Sequence, residues 1–533
     1  MALAVSSVAA IQRSERTRRI LFTGIGVVLA ILLGLVAAAV GKTQDAIGLV
    51  VALAVPVIWW SAPATGVITL LLCSAVIEQY QYSIPGEAGL DAFTDKIPFF
   101  ASFQGAFGAS GLVFSPADLS VVVLLLIWLT RGVTKRSLRL PRSQLAAAMA
   151  VIVVLALVAL ARGIGLGGDD TRAAFWEIRP WVYMGATYLF ASQFVTSRRA
   201  FHAVLWTLVL GSGFKALQGT YIWIKTRGVD LGPQPAILAH EESFFFAVFV
   251  MLTIALWIFR QRGRLRTTAT ALLPLVLLAD FGNARRDAFL VLGGGLVVML
   301  LVIYVNRPEY RRMMRRIAAV SLLVSVVYFP LEWNGSGTFA EPAQAVRSEF
   351  SPSLRDQESN QYRIQEDANI GDNIKNSNPL LGTGFGEPID YGYVPIVNIE
   401  NVDAFILWVP HNGVLYVWMR MGIPGELMLW LLLAAAILAG VRATRSPDSE
   451  VALLGALVAA TSVGWLAMGY TDMGFFWFRI AIYFGGLLGL LHAMTSLNRS
   501  SQPEPVTQPA RRTARPAVRS LAPALLARGE ARR

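Results

Sequence analysis

The sequence predicts an all-α protein: a polytopic transmembrane helical bundle with one long extracytoplasmic loop. Composition is the first indication, because 55% of the 533 residues are hydrophobic, 15% are charged and the mean hydropathy is +0.55. A water-soluble core cannot absorb so much apolar surface. The second indication is run length, since apolar runs recur from Ile20 to His492. A bilayer core about 30 Å thick needs about 20 apolar residues per helix, so we predict about 12–14 spans.

The positive charge of the chain indicates its topology. The net charge is +12, which in a soluble protein would suggest a nucleic-acid partner. Here the positive residues lie largely in short loops between apolar runs, so we expect no nucleic acid and a multi-pass protein of the cytoplasmic membrane. Arginines between Arg13 and Arg19 precede the first run and place the N-terminus in the cytoplasm. An even number of spans places the C-terminus there too.

The predicted elements follow in order. Residues 1–19 form a cytoplasmic N-terminal tail without the apolar core and cleavage site of a secretory signal. Residues 20–329 form transmembrane helices. Among them, the pair around Ser61 to Pro63 could form a tight hairpin, Pro180 begins the sixth helix, and Gly293 to Gly295 allow a neighbour to approach. The predicted spans are 20–40, 46–60, 67–80, 116–130, 145–161, 180–198, 201–221, 244–259, 268–281, 289–304, 317–328, 414–441, 451–468 and 480–492.

The longest polar segment inside the bundle is residues 330–410, and it is rich in aspartate and glutamate. We predict an extracytoplasmic loop, because the strongly basic short loops fall on the other side. Transmembrane helices resume over 411–493. Residues 494–533 consist largely of Pro, Ala, Ser and Arg and are predicted to be a disordered basic cytoplasmic tail. Cys73 is the single cysteine, which excludes an intrachain disulfide.

Cationic residues on the predicted outer side are candidates for ligand binding, since that side should be poor in them. They are Arg179, Arg227, Arg285 and Arg286, at or near outer helix ends, and Lys215, in the outer half of the seventh span. Guanidinium groups bind phosphate bidentately and keep their charge, so a convergent set would suit a lipid-linked diphosphate. Each arginine could equally anchor the chain at the interface, and Lys215 could extend its amine there.

His411 lies where the polar segment meets the twelfth span. A neutral imidazole there could accept a proton from an attacking hydroxyl or orient it, although such a residue could also cap or anchor the helix. His240, with Glu241 and Glu242, is the other outer candidate. No HExxH or comparable spacing is present, so we predict no metal site. The sequence also lacks a Walker loop and a Rossmann glycine fingerprint.

Several motifs together resemble a known family. Asn378 to Gly386 reads NPLLGTGFG, Pro410 to Leu415 reads PHNGVL, and Gly422 to Gly425 reads GIPG. In this order they resemble the O-antigen ligase and polymerase superfamily, in which a glycine loop precedes an HNxxL segment that opens a membrane helix. Arg286 to Leu290, RDAFL, is similar to the family's SRGAxL segment, with an aspartate where a small residue is usual. Arg227-Gly228 resembles an earlier outer arginine of the family more loosely.

The resemblance implies a membrane glycosyltransferase that uses no metal or other cofactor. It would move a glycan from an undecaprenyl or other polyprenyl diphosphate to a hydroxyl on a glycan, lipid or protein acceptor, on the outer side of the cytoplasmic membrane. In that scheme His411 activates or positions the acceptor, while Arg286 and Arg227 bind the diphosphate. Ligation and polymerisation use the same bond chemistry, so both remain open.

We extend the predicted diphosphate site to Arg285, Arg179 and Lys215, and we expect Asn412 and Gly384 to position the acceptor and the loop. Two alternatives from other classes remain. A transporter of a small anion or glycan precursor would use the arginines for selection, although no internal repeat is evident. A non-catalytic assembly protein of an envelope polysaccharide would use residues 330–410 as a docking surface.

Overall fold

A computed structural model describes residues 53–79, 97–103, 113–134, 140–165, 170–226, 237–335, 337–392 and 408–501, together with residues 23–28, 31, 94 and 136. The predicted N-terminal tail, most of the first span and the C-terminal tail after residue 501 lie outside the described residues, as does Arg227. No β-strand occurs in the part of the chain that is described. The all-α prediction is therefore confirmed.

The helices of the described chain are numbered in order. They are α1 (Ala64–Val76), α2 (Pro116–Thr134), α3 (Gln144–Gly165), α4 (Thr171–Phe194), α5 (Arg198–Thr226), α6 (Glu241–Ile258), α7 (Arg264–Gly282), α8 (Arg286–Asn306), α9 (Arg311–Glu332), α10 (Glu341–Phe350), α11 (Leu354–Asn376), α12 (Gly413–Thr444), α13 (Ser449–Thr471) and α14 (Phe478–Ser501). Residues 53–61 are also helical. The last helix continues to Ser501, past the boundary that we predicted at residue 494.

Ten of the described helices are long and apolar enough to cross a membrane. They are α2, α3, α5 to α9 and α12 to α14, and they match predicted spans. A polytopic membrane bundle is therefore confirmed. Helix α4 has 24 residues, which is about 36 Å at 1.5 Å per residue, so it too reaches across a bilayer although it is more polar.

Helices α6, α13 and α14 form the centre of the bundle, since nearly all of their residues are buried. Helix α14 packs against α4, and α13 packs between α8 and α12. Helices α12 and α13 approach closely at Gly440 and Gly455, where a Cβ on Gly455 would lie 2.6 Å from the Gly440 carbonyl oxygen. The predicted close approach at Gly293 to Gly295 occurs only at Gly295, where a Cβ would lie 2.6 Å from the sulfur of Met251.

Helix α4 begins earlier than we predicted. Asp170 caps it by accepting hydrogen bonds from the amides of Arg172 and Ala173, at 2.7 and 3.3 Å. An aspartate in this position satisfies amides that the first turn leaves without partners. Pro180 therefore lies inside the helix, and the prediction that it begins the helix was wrong. The earlier start places Glu177 and Arg179 on one continuous helix with the membrane-crossing residues.

The polar segment 330–410 contains two helices, α10 and α11, rather than an open loop. Helix α11 begins with a capping box, in which the Ser353 hydroxyl accepts from the Asp356 amide and the Asp356 carboxylate accepts from the Ser353 amide. Helix α10 packs against α8, and α11 packs against α12. The segment therefore rests on the end of the bundle where α8 and α12 begin.

Candidate active site

His411 lies immediately before the first turn of α12. Asn412 caps that helix, because its side-chain oxygen accepts a hydrogen bond of 3.2 Å from the Leu415 amide. The Asn412 amide nitrogen also donates to Asp367 on α11, at 3.3 Å. The HNG triplet thus holds the imidazole at a fixed point where the helix enters the bundle. This end of the bundle is called the His411 end below.

Glu366 on α11 binds both the backbone and the ring of His411. Its carboxylate accepts from the His411 amide at 2.9 Å and lies 3.2 Å from Nδ1 through each oxygen. The Glu366 side chain is 1% exposed and the His411 side chain is 22% exposed. A carboxylate at Nδ1 favours the tautomer with the proton on Nδ1, which leaves Nε2 with a lone pair. No described residue hydrogen-bonds Nε2.

The environment of His411 makes its imidazole a stronger base. Burial alone lowers the pKa of His411, but the hydrogen bond and the negative charge of Glu366 outweigh burial and raise the pKa above its usual value. Tyr362 donates to Glu366 at 3.3 Å, and its ring meets the His411 ring edge-on, with the centroids 5.6 Å apart. Tyrosine and glutamate together hold the imidazole plane in one orientation.

A second buried carboxylate, Asp472, follows α13 at the same end. It lies 2.7 Å from Nδ1 of His240 and accepts from the Met473 amide at 2.8 Å. Burial raises the pKa of Asp472, but the nearby charges of His240 and His411 and these hydrogen bonds lower it overall. The charge of Asp472 also raises the pKa of His411. The two histidines that the sequence places on the outer side thus share one electrostatic neighbourhood.

Arg285 belongs to the same neighbourhood. Asp287 lies within electrostatic range of Asp472, His240, Arg285 and Arg363. Two nitrogens of the Arg285 guanidinium, Nε and Nη2, are buried and have no hydrogen-bond partner among the described residues. A buried guanidinium nitrogen without an acceptor is costly, so this side chain offers donors to an anion.

The short connection before α8 determines where Arg285 lies. Asn283 accepts from the Leu238 amide at 2.9 Å and donates to the Ala239 carbonyl at 3.3 Å, which ties the α7 end to the segment before His240. Ala284 then adopts a left-handed conformation, with φ of 49°. This reversal directs the chain into α8 and leaves Arg285 just before its first turn.

Arg286 points to the polar segment instead. Its Nη1 lies 3.3 Å from both Asp356 on α11 and the Ser348 hydroxyl on α10. The side chain remains 32% exposed. Arg285 has an extended backbone just before the helix, whereas Arg286 is the first helical residue, so the two side chains face different partners although they are adjacent in sequence.

Arg179 and Lys215 are bound to other residues of the chain. Arg179 forms an ion pair of 2.9 Å with Asp118 and donates to the Val113 carbonyl at 2.6 Å. Lys215 is completely buried, contacts Glu78, and lies 3.5 Å from Glu242. It does not extend to an interface, and the structure does not bring it to His411.

The glycine-rich segment before His411 packs against a break in α12. Gly422 has φ of +65°, and Pro424 follows it. Proline has no amide hydrogen, so the Arg420 carbonyl loses its helical partner. The Ile423 amide turns away as well, to Pro379 at 3.2 Å, and this leaves the Met419 carbonyl without its helical partner.

Amides of the glycine-rich segment replace those lost helical bonds. Thr383 donates to Met419 at 2.7 Å, and Gly384 donates to Arg420 at 3.1 Å. Gly384 has φ of +86°, and a Cβ there would lie 2.5 Å from the backbone nitrogen of Gly163 on α3. Only glycine tolerates both conditions. Gly384 therefore positions the segment against α3 and α12, and no contact of Gly384 with His411 is observed.

A buried ion pair connects this segment to the approach to His411. Arg420 Nε donates to Glu177 at 2.7 Å, Nη1 donates to Thr383 at 3.1 Å, and Nη2 donates to the Trp408 carbonyl at 2.8 Å. Tyr416 adds a hydrogen bond of 3.1 Å to Glu177. Both charged side chains are fully buried. Sequence reasoning missed this pair, because neither residue belongs to a motif and their partners lie on different helices.

The glycine-rich segment and His411 fall within a stretch that matches a known family model. The family model described as O-antigen ligase matches residues 275–431. These residues are similar to the O-antigen ligase family. The match confirms the resemblance that the sequence motifs carry. No curated protein matches the chain.

The O-antigen ligase segment contains the residues that meet at the glycine-rich segment and at His411. Arg285, Glu366, Gly384, His411 and Arg420 all lie inside it. His240 and Asp472 complete the same neighbourhood from outside the matched residues. This similarity supports, in general terms, a membrane glycosyltransferase of the O-antigen ligase type with a polyprenyl-linked glycan donor and an acceptor. Among the described residues, no group of three His, Cys, Asp or Glu side chains could hold a metal ion.

Proposed function

We propose that this protein transfers a glycan from undecaprenyl diphosphate, or a related polyprenyl diphosphate, to a hydroxyl acceptor at the His411 end. One observation carries the proposal. An imidazole has its Nδ1 against a buried carboxylate and its Nε2 without a partner among the described residues, and it shares its surroundings with a guanidinium of which two nitrogens likewise find no described partner. The first group suits a hydroxyl, and the second suits a diphosphate.

The transfer step uses His411 as general base. The acceptor hydroxyl oxygen attacks the anomeric carbon of the donor sugar, and Nε2 takes the hydroxyl proton. The bond between the anomeric carbon and the diphosphate oxygen breaks, and its electron pair leaves with the polyprenyl diphosphate. Glu366 stabilises the imidazolium that forms, because its carboxylate lies against Nδ1. A base with a raised pKa takes the proton more readily.

Arginines stabilise the leaving group. A diphosphate departs well when its growing negative charge meets donors that are already in place, and each such donor contributes a few kcal/mol. Arg285 offers two nitrogens that no described residue binds. Arg286 forms an ion pair with Asp356 and a hydrogen bond with Ser348, at the edge of the polar segment. It would have to leave these partners to bind the diphosphate. Arg227 is proposed as a third donor on the basis of the family resemblance alone.

Neither metal nor cofactor is required in this scheme. Guanidinium groups keep their charge at all physiological pH values, so they can supply the neutralisation that a divalent cation supplies elsewhere. Asn412 supports the same site by capping α12 and donating to Asp367. Arg179 and Lys215 take no part in binding the diphosphate, because each is paired inside the bundle.

We propose that the His411 end faces away from the cytoplasm. The opposite end carries the short arginine-rich connection between α6 and α7, and such loops are retained in the cytoplasm. The acidic segment with α10 and α11 covers the His411 end. The diphosphate of a polyprenyl lipid in the outer leaflet would then lie level with Arg285, with its chain in the bilayer.

The test is reconstitution of the full-length protein in liposomes with a polyprenyl-diphosphate glycan. Three acceptors are supplied in parallel: a second donor molecule, a lipid-linked saccharide core, and a hydroxyl-bearing peptide. Transfer to any of them, lost in His411→Ala and retained in His492→Gln, supports the proposal. Extension of the donor glycan indicates a polymerase, whereas transfer to the core or peptide indicates a ligase. Undiminished transfer by His411→Ala would refute the assignment of the base.

A further inference from the structure

A cavity of about 500 Å³ opens at the end of the bundle opposite His411. Its walls come from the starts of α5, α7 and α13 and from the last turn of α6. Helix α6 begins beside His240 and has 18 residues, so the cavity lies about 27 Å along the helix axis from the proposed transfer site. The cavity is therefore separate from that site.

The inner wall of the cavity is apolar. Phe201, Leu205, Leu256 and Leu453 line it and are almost fully buried. Leu265 on α7 completes this wall. The volume is within the range of ligand sites in proteins, about 300–1,000 Å³, and the wall suits hydrocarbon rather than a sugar or a nucleotide.

The rim of the cavity is cationic. Arg262, Arg264 and Arg266 line it. Arg262 and Arg264 are exposed, and no described residue forms an ion pair or hydrogen bond with either side chain. Helix α7 begins at Arg264 with Gly263 before it, so no side chain caps its first amides. The positive end of the helix adds to the positive field of the arginines.

The carboxylate that lines the cavity is already neutralised. Glu450 lies 2.6 Å from Nε2 of His202 and forms an ion pair with Arg198. Among the described residues, no other aspartate or glutamate lines the cavity. The rim arginines therefore face the opening without a carboxylate of their own.

A tryptophan places this rim at the membrane interface. The Arg266 guanidinium lies over the ring of Trp257, 4.3 Å from its centroid. Trp257 is 52% exposed, and its indole nitrogen donates to Thr270 at 2.9 Å. Exposed tryptophans at helix ends lie at the level of the lipid headgroups. The apolar wall then faces acyl chains, and the arginines face headgroup phosphates.

We infer that this cavity binds one anionic phospholipid, whose headgroup phosphate contacts Arg262 and Arg264 and whose acyl chain lies along the wall that includes Leu265. A zwitterionic lipid fits less well, because its amine would face the same arginines. The lipid bridges the starts of α5, α7 and α13 and thereby stabilises the end of the bundle opposite the transfer site.

The experiment titrates delipidated full-length protein in detergent with palmitoyl-oleoyl phosphatidylglycerol and counts bound lipid by native mass spectrometry. We expect one lipid to bind more tightly than the rest, with palmitoyl-oleoyl phosphatidylcholine clearly weaker. The double variant Arg262→Gln/Arg264→Gln should bind the anionic lipid roughly 10- to 30-fold more weakly, because each basic residue near a headgroup contributes about a factor of five. Leu265→Trp fills the apolar wall, keeps the charges, and should also lose the tight lipid.

The matched control is Arg315→Gln/Arg316→Gln, on the exposed face of α9 at the same end of the bundle and outside the lining of this cavity. Equal loss of lipid in this control would overturn the inference in favour of diffuse surface charge. Displacement of the lipid by millimolar inorganic phosphate would overturn it in favour of a simple anion site. Unchanged binding in either cavity variant would also overturn it.

Discussion

Two clusters of charged side chains lie close together along the sequence, and they differ in access. His240 belongs to the neighbourhood of His411, while the next two residues, Glu241 and Glu242, belong to a cluster with Arg479 and Lys215. The second cluster is completely buried. The first leaves His411 22% exposed, and part of the Arg285 guanidinium has no partner in the part of the chain that the structure describes. Charge inside a membrane protein therefore indicates chemistry only where a ligand can reach it.

The physical reason lies in desolvation. Taking an ion out of water costs several kcal/mol, and a buried cluster recovers that cost only by pairing its charges with one another. Lys215 meets Glu78 and Glu242, and Arg479 lies 2.6 Å from Glu242. Each of these two cations already lies against a carboxylate, so neither is available to bind an anionic substrate. At the His411 end, by contrast, two nitrogens of Arg285 have no hydrogen-bond acceptor among the described residues.

The largest expected effect is at His411. His411→Ala removes the proposed base and should lower transfer about 10³- to 10⁴-fold, within the range that general base catalysis contributes. The thermal midpoint should change little, because the side chain is partly exposed and Asn412, not His411, caps α12. Transfer is measured with the reconstituted donor assay. A fall in the midpoint that matched the loss of transfer would place His411 with the structural cluster.

The second prediction concerns the buried cluster. Lys215→Met leaves Glu78 without its cation and removes one of the two cations beside Glu242, so it should reduce the free energy of unfolding by about 3–5 kcal/mol. The double variant Lys215→Met/Glu78→Gln removes one orphaned charge and should recover part of that loss. Unfolding in detergent is measured for each, with exposed Arg315→Gln as control. The folded fraction should transfer glycan at the normal rate, and a specific loss of turnover would contradict the comparison.

The third prediction separates the adjacent arginines. Arg285→Lys keeps the charge but loses the planar fork, and we expect transfer to fall about tenfold, the equivalent of one charge-assisted hydrogen bond. Arg286→Lys should also impair transfer. Asp356→Asn frees Arg286 from its ion pair and should strengthen donor binding if Arg286 reaches the diphosphate. Transfer rates measured over a range of donor concentrations give KM and kcat, and these two constants distinguish the cases. Full activity of Arg285→Lys would show that simple charge suffices.

The fourth prediction concerns pH. Glu366 raises the pKa of His411, and the base acts in its neutral form, so transfer by the native protein should fall as pH drops through that raised value. Glu366→Gln removes the negative charge, which should move the acid limb of the profile to lower pH and lower the plateau rate severalfold. Profiles of kcat/KM against pH measure both effects. An unshifted acid limb would mean that Glu366 has no influence on the titrating group.

The smallest expected effect is at Tyr362. Tyr362→Phe keeps the edge-on ring against His411 and removes the hydrogen bond of 3.3 Å to Glu366. A long bond of this kind contributes about 0.5–1 kcal/mol, so transfer should fall no more than about fivefold. The acid limb should move slightly to higher pH, because Glu366 then concentrates its charge on His411. A larger loss would give Tyr362 a direct part in the reaction.

The sequence predicted the fold well because membrane insertion depends on the summed hydropathy of consecutive residues and on the positions of basic residues between apolar runs. The ten long apolar helices that the structure describes match predicted spans, and Pro180 shows where local rules failed. Proline is only statistically preferred at the start of a helix. Asp170 is a helix cap ten residues earlier, and α4 begins directly after it. Segment 330–410 was predicted to be a loop, because its helices are polar and such helices carry no hydropathy signal.

The candidate site was predicted in part. His411, Asn412 and Gly384 were recognised from motifs, and Arg285 from its charge on the outer side. Glu366 was not singled out, because it is one acid among many in its segment and only its burial against His411 distinguishes it. Lys215 was assigned to the diphosphate site, yet its partners lie elsewhere in the chain.

The sequence by itself determined the membrane bundle, the likeness to the ligase family and the choice of His411 as the candidate base. Hydropathy and short motifs depend only on residues that are neighbours in the sequence. Only the tertiary structure decided which cations are already paired and which remain available. Pairing depends on the rotation of helices about their axes and on distances of 3 to 4 Å between residues far apart in the chain. Arg285 and Lys215 have the same formal charge, and their different surroundings separate a proposed ligand from a structural ion.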